Sequence, residues 1–123
     1  SPMDQVLIEG LELDAVIGVY DWERSITQRL TLDLVLATDI RAAAQDDDLS
    51  QTLDYDAISR RIGVFAEEHS FELVETFAER LAELLQEEFG VPWLKMTLRK
   101  PGAVANARAV GVSIERGQRP GGH

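Results

Sequence analysis

A lysine at the end of a predicted strand is the residue best suited to acid–base chemistry. In segment 92–100, Leu94, Met96 and Leu98 alternate with polar residues, as in a strand with one buried face. Lys100 continues the apolar phase, and the Pro-Gly that follows should end the strand. Burial of an inward amine favours its neutral form, which accepts protons. The alternative is a lysine whose ammonium group reaches past the sheet edge into water, and spacing alone does not decide between them.

Three acidic or phenolic residues could join such a site. Glu23 follows the first predicted strand, beside aromatic residues. Tyr55 begins a predicted helix, and Glu75 lies in the first turn of the next helix, adjacent to Val74. Each also has an ordinary role: a solvated loop acid, a packing residue at a helix start, and an acid that complements the helix dipole. No two of them have a diagnostic spacing, so this pattern alone leaves the function open.

The composition opposes a metal site and a nucleic-acid partner. The sequence has no cysteine and only two histidines, His69 and His123. The run Asp46-Asp47-Asp48 has no downstream glutamate at the expected position of a metal-binding loop, so a solvated connection is the better interpretation. The formal net charge of -10 is unsuited to a phosphate backbone, and the Walker and dinucleotide-binding glycine patterns are absent. We expect no bound metal and no nucleic acid.

The length and hydropathy of the chain predict one cytoplasmic domain. No apolar run approaches the roughly 20 residues that a bilayer-spanning helix needs, and no signal peptide pattern precedes the first strand. We expect no membrane association. Residues 3–117 form the predicted domain, residues 1–2 resemble a cloning remnant, and the Gly-rich end at residues 118–123 is expected to be a flexible tail.

Two long strands are predicted near the start of the chain. Gln5–Val19 alternates in hydropathy but changes phase at Gly10, which predicts a bulge or bend. Residues 30–36 form a second alternating run, so the two segments are expected to pair as an antiparallel hairpin. The segments 20–25 and 42–50 are predicted to be irregular connections.

Two helices should follow. Tyr55–His69 carries an apolar stripe with Asp54 as its N-cap. Ser70 is expected to cap a second helix, which Gly90 and Pro92 end. After the lysine-bearing strand, a last strand covers 110–114. The order ββααββ describes an α+β protein whose four-stranded antiparallel sheet carries two helices on one face. Its apolar edges favour pairing with another subunit, so we expect a homo-oligomer.

Four segments of the sequence closely resemble bacterial dihydroneopterin aldolases. They are IGVYDWE at 17–23, LDYDAIS at 53–59, FELVETFAERLAELL at 71–85 and LRKPGAVANARAVGVSIER at 98–116. The likeness runs in order along nearly the whole chain from Met3 to Arg116. The resemblance implies the tunnelling fold, in which the sheets of four subunits close into a β-barrel ring with the helices outside. Two such rings commonly stack, so a tetramer or octamer is expected.

The resemblance also implies a reaction in folate biosynthesis. In this family, a retro-aldol cleavage converts 7,8-dihydroneopterin into 6-hydroxymethyl-7,8-dihydropterin and glycolaldehyde. The imine of the dihydropterin accepts the electrons of the broken carbon–carbon bond. The resemblance therefore implies no cofactor, no metal and no lysine Schiff base, and its partner is a small pterin substrate.

Site residues follow from the resemblance position by position. Glu75 would grip the amino-pyrimidine edge of the pterin, a two-donor fork suited to a carboxylate, and the backbone around Val74 would help to hold the ring. Lys100 would be the general base, acting through a water, and Glu23 would position that water and the substrate hydroxyls. Tyr55 of a neighbouring subunit would help to protonate the enol intermediate. The active site would then lie at a subunit interface.

Three other functions remain open at this stage. An epimerase of dihydroneopterin or its triphosphate would share the retro-aldol intermediate, and both activities can coexist in one enzyme. A triphosphate would need extra cations near the pocket, for which Arg99 or Arg108 is available. A non-catalytic pterin-binding ring protein would be expected to lack the inward lysine and its acidic partner. A small-ligand regulatory domain would normally be attached to a larger enzyme.

Overall fold

One five-stranded sheet and four α-helices make up the computed structural model, which describes residues 4–119. The strands are β1 (Asp4–Ile17), β2 (Gln28–Thr38), β3 (Ser70–Phe71), β4 (Trp93–Pro101) and β5 (Ala109–Gly117). The helices are α1 (Asp21–Arg24), α2 (Arg41–Asp46), α3 (Tyr55–Glu68) and α4 (Val74–Phe89). The strand order in the sheet is β3-β1-β2-β4-β5. The predicted α+β class and the four antiparallel strands are confirmed.

The fifth strand corrects one prediction about the second long helix. Ser70 does not cap that helix, because it lies in β3 and pairs in parallel with Val16 of β1. Helix α4 begins only at Val74, with Leu73 at the N-cap position. Strand β3 gives no signal in the sequence, because two residues are too few to show an alternating pattern and the free edge of β1 orders them.

The predicted change of phase in the first strand is a β-bulge. The register between β1 and β2 shifts between Ile8 and Leu11, and Gly10 adopts φ 69°, a left-handed conformation that favours glycine. The backbone N–H of Gly10 donates to Oδ1 of Asp33 on β2 at 2.7 Å. This hydrogen bond lowers the pKa of Asp33, and the neighbouring Arg99 guanidinium lowers it further.

Two segments predicted to be irregular contain short helices instead. The connection at 20–25 contains α1, and the segment at 42–50 contains most of α2 and the start of a 3₁₀ turn at Leu49–Gln51. Helices of four to six residues are too short to show an apolar stripe, so periodicity could not find them. Within residues 4–119, no group of acidic or histidine side chains is arranged to hold a metal ion.

The predicted start of α3 and the predicted end of α4 are confirmed. The side chain of Asp54 accepts hydrogen bonds from the backbone N–H groups of Asp56 and Ala57, each at 3.1 Å, at the start of α3. Helix α4 ends at Gly90, which adopts φ 64°.

The core lies between these helices and the sheet. Alternate residues of β2 and β4 face α3 and α4, and almost all of their surface is removed from water. Burial of each such large apolar side chain stabilises the fold by about 2 kcal/mol. The strand residues on this face are Leu30, Leu32, Leu34, Leu36, Leu94, Met96 and Leu98, and the helix residues include Ile58, Ile62, Phe65, Phe77, Leu81 and Leu85. The same face continues along β4 to Lys100.

The ends of the chain lie largely outside this description. The predicted cloning remnant at residues 1–2 and most of the predicted tail at 118–123 fall outside residues 4–119. The assignment of 3–117 to one domain stays a prediction. Within the described part of the chain, none of the helices has the length and apolar character needed to span a membrane.

Candidate active site

Lys100 and Glu23 form a shielded ion pair at one end of the sheet. Nζ of Lys100 lies 2.7 Å from Oε2 of Glu23, and the two side chains are 12% and 8% exposed. Lys100 is the last residue in the apolar phase of β4, and Glu23 lies in α1. The inward orientation predicted for Lys100 is confirmed, and the alternative of an ammonium group free in water is wrong.

The Glu23 carboxylate is held by three donors from different parts of the chain. Oε1 accepts a hydrogen bond from the backbone N–H of Tyr20 at 3.3 Å, as in a capping box. Oε2 accepts from Nε2 of Gln28 at 3.2 Å as well as from Lys100. The hydrogen bond from Lys100 lowers the pKa of Glu23 most, followed by that from Gln28, and together they outweigh the effect of burial. The carboxylate is therefore kept ionised.

Gly18 provides the space in which this carboxylate lies. A Cβ atom built on Gly18 would lie 2.3 Å from Cδ of Glu23, and the residue has φ +147°. Gly18 also donates its backbone N–H to the carbonyl oxygen of Phe71 at 3.1 Å, which fixes the end of β1 against β3. The position therefore requires glycine for both its conformation and the close approach of Glu23.

The ion pair lines an open cavity of about 390 Å³. This volume falls in the range of small-molecule binding sites. Tyr20 and Trp22 form part of its wall, each 62% exposed, with their rings nearly parallel and their centroids 6.4 Å apart. The cavity therefore offers charged groups, hydrogen-bonding groups and flat apolar surfaces to a ligand. Its lining is Gly18, Val19, Tyr20, Trp22, Glu23, Gln28, Glu72, Lys100, Gly102 and Ala103.

The other three predicted site residues do not line this cavity within one chain. Tyr55 begins α3 and is 63% exposed. Val74 and Glu75 occupy the first turn of α4, and Glu75 is exposed. Glu72, two residues before that helix, does line the cavity. One chain thus brings Lys100 and Glu23 together, whereas any role of the other three remains a prediction.

Two residues that hold the ion pair, Gln28 and Gly18, were not predicted from the sequence. A signal for Gln28 was present, because Gln28 is the polar start of the apolar phase that continues through Leu30 and Leu32. It therefore repeats on β2 the pattern that revealed Lys100 on β4. In the sequence, Gly18 indicates only the end of a strand, because its contact with Glu23 depends on the fold of α1.

Comparison with known proteins places the chain among aldolases. The family described as FolB: Dihydroneopterin aldolase matches residues 6–115. A dihydroneopterin aldolase of Escherichia coli (strain K12) is 49% identical over 115 residues, which cover 94% of this chain and 94% of the relative. One from Haemophilus influenzae is 46% identical, covering 94% and 98% respectively. The crystal structure of the E. coli enzyme in complex with neopterin superposes with a TM-score of 0.90 at 49% identity, covering 94% of this chain and all of that one.

The fold, the site and these similarities first define a class: the chain is an aldolase with an α+β architecture. More particularly, it belongs to the dihydroneopterin aldolase family. The resemblance inferred from the four sequence segments is thereby confirmed.

Proposed function

We propose that this protein is a carbon–carbon lyase that cleaves 7,8-dihydroneopterin into 6-hydroxymethyl-7,8-dihydropterin and glycolaldehyde. The observation that carries the proposal is the shielded contact of 2.7 Å between Lys100 and Glu23, on a cavity large enough for a pterin. The membership of the aldolase family supports the reaction, and the neopterin held by the E. coli relative supports the substrate class.

Lys100 is proposed to start the reaction as a general base. Its neutral amine, acting through a water, removes the proton of the side-chain hydroxyl on C2′, which becomes the carbonyl of glycolaldehyde. The bond between C1′ and C2′ breaks, and its electron pair passes into the imine of the dihydropterin. Because this imine accepts the electrons, the step needs neither a metal nor a Schiff base.

Glu23 is proposed to orient the water and the substrate hydroxyls. In the free protein its carboxylate accepts a hydrogen bond from Nζ of Lys100, and substrate hydroxyl groups replace part of that contact on binding. The remaining donors, from Tyr20 and Gln28, keep the carboxylate in place during this exchange. Glu23 thus serves both in binding and in catalysis.

Tyr55, Val74 and Glu75 are proposed to complete the site across a subunit interface. Glu75 and the backbone at Val74 bind the pterin ring, and the phenol of Tyr55 protonates C1′ of the enol intermediate. Support comes from their surfaces: Tyr55 and Glu75 are exposed in the single chain, so a second copy can bring them to a shared site. A lone subunit would then be inactive.

The edge of the sheet supports the proposed oligomer. Strand β5 is the last strand of the sheet, so one side of it has no strand partner in the described chain. Val110 on this strand is 36% exposed. Pairing of this edge with the next copy would bury it and close four sheets into a ring. We expect a tetramer or an octamer, which sedimentation or light scattering distinguishes.

A product assay tests the proposed reaction directly. Purified protein is incubated with 7,8-dihydroneopterin, the pterins are separated by chromatography, and glycolaldehyde is measured in parallel. Matching amounts of hydroxymethyl-dihydropterin and glycolaldehyde are expected. The C2′ epimer alone would replace the aldolase by an epimerase, and both products would assign two activities. Pterin binding without conversion would leave a binding protein and contradict the roles given to Lys100, Glu23 and Tyr55.

A further inference from the structure

Gln28 joins the ion pair to the backbone of the neighbouring strand. Its Nε2 atom lies 2.8 Å from the carbonyl oxygen of Ile17, at the end of β1, and 3.2 Å from Oε2 of Glu23. The residue is the first of β2 and is partly buried. A single amide therefore links the end of β1, the start of β2 and the carboxylate carried by α1.

The neighbours of this amide fix its orientation. The carbonyl oxygen of Ile17 and the ionised carboxylate of Glu23 can only accept hydrogen bonds, whereas Nε2 carries two N–H groups and Oε1 carries none. One N–H of Gln28 therefore donates to each acceptor. The reverse orientation would place the amide oxygen of Gln28 against an acceptor oxygen at both contacts. The hydrogen bonds therefore exclude that orientation.

We propose that Gln28 is a positioning residue of the active site, which holds Oε2 of Glu23 in place opposite Lys100. This inference deepens the proposed aldolase function and rests on it for its kinetic part. Gln28 anchors one side of the carboxylate to the sheet, and the N–H of Tyr20 anchors the other oxygen. When the contact with Lys100 opens for substrate, these two anchors determine where the carboxylate stays.

The remaining charged groups around the cavity do not replace this anchor. Lys100 contacts the same oxygen, but as the proposed base it must change partners during the reaction. Glu72 lines the cavity and is paired with Arg24, and the phenol of Tyr20 also lies in the wall. Among the side chains that hydrogen-bond to Glu23 in the described chain, Gln28 is the neutral one. Because the amide of Gln28 does not ionise, it can donate this hydrogen bond at any pH.

Substitution of Gln28 by leucine tests the proposal. Gln28→Leu keeps a side chain of similar size but removes both N–H donors. We expect kcat with 7,8-dihydroneopterin to fall about tenfold, with a smaller change in KM, because a hydrogen bond to a charged group is lost.

A second glutamine provides the matched control. Gln51 also donates from Nε2 to two carboxylates, those of Asp46 and Asp48, each at 3.0 Å, and it does not line the cavity. Gln51→Leu should leave kcat and KM unchanged. If Gln28→Leu lowers only the melting temperature and keeps the wild-type kcat and KM, Gln28 has a purely structural role and the proposal is overturned.

A second substitution covers the case in which the leucine variant does not fold. In Gln28→Glu, the introduced carboxyl can donate only while protonated, and to only one of the two acceptors. Once this carboxyl loses its proton, its negative charge faces that of Glu23. Turnover relative to the wild type should therefore decrease as the pH rises. A Gln28→Glu variant as active as the wild type at neutral pH would contradict the need for an N–H donor.

A readout that needs no turnover separates this inference from the aldolase proposal. The Glu23 carboxyl can be titrated by ¹³C NMR in the free protein, with Glu23→Gln used to assign its signal. Loss of the Gln28 donor should raise the pKa of Glu23, and an unchanged titration would overturn the anchor. Absence of aldolase activity in the wild-type protein would contradict the proposed function. The titration of Glu23 would still show whether Gln28 holds its carboxylate.

Discussion

The amine of Lys100 and the carboxylate of Glu23 lie 2.7 Å apart although 77 positions separate the two residues in the sequence. Lys100 lies at the end of β4 and Glu23 in a four-residue helix between β1 and β2. Their contact therefore exists only because the central strands of the sheet are paired in the correct register. The chemistry proposed for this pair therefore depends on the fold of the whole sheet.

Replacement of Lys100 should separate catalysis from folding. Lys100→Ala is expected to lose at least about a hundredfold in kcat, which is typical for removal of a general base, while the protein remains folded. Lys95→Ala is the matched control, because Lys95 is the other lysine of the sequence and lies on the exposed face of the same strand. Steady-state kinetics and circular dichroism check both variants. A Lys100→Ala variant with near wild-type turnover would remove this residue as the base.

Glu23 should contribute to the pH dependence of stability. Its pKa in the folded protein is lowered from the ordinary value of 4.5, chiefly by Lys100. The ionised form is thus favoured by folding, so this contribution is present above the unfolded pKa and is lost as the pH falls through the folded value. Urea unfolding at a series of acidic pH values should show a shallower loss of stability for Glu23→Gln than for the wild type. Parallel curves for the two proteins would contradict a coupled carboxylate.

Glycine substitutions should reveal the close approach of Glu23 to β1. Gly18→Ala would place a Cβ 2.3 Å from Cδ of Glu23, so we expect a lower melting temperature and a loss of turnover as the carboxylate is displaced. Gly63→Ala is the control, since Gly63 lies inside α3 with open space around it and needs no left-handed conformation. That change should stabilise the protein by about 0.5–1 kcal/mol and leave activity intact. Wild-type kinetics in Gly18→Ala would show that Glu23 tolerates displacement.

The sequence carried enough information for the sheet, the long helices and the direction of Lys100. Those features depend on local periodicity and on capping residues such as Asp54 and Gly90, which act within a few positions. The short strand Ser70–Phe71 was missed because it is ordered by the free edge of β1. The contact of Gln28 with Glu23 was missed for a similar reason: it joins two elements whose relative position only the folded chain defines. Roles for Tyr55, Val74 and Glu75 came from resemblance, since no spacing in the sequence connects them.

Mixing of two inactive variants should show whether the site is shared between subunits. Lys100→Ala removes the proposed base, and Tyr55→Phe removes only the phenolic hydroxyl of a residue that is 63% exposed in the single chain. If each site takes Lys100 from one copy and Tyr55 from another, random reassembly restores about a quarter of the sites. The variants are dissociated in denaturant, refolded together and assayed for hydroxymethyl-dihydropterin. Each variant refolded alone is the control and should stay inactive. Activity in the mixture that never exceeds these controls would place both residues in the same subunit, and Tyr55 would then have to reach the cavity by a movement of α3.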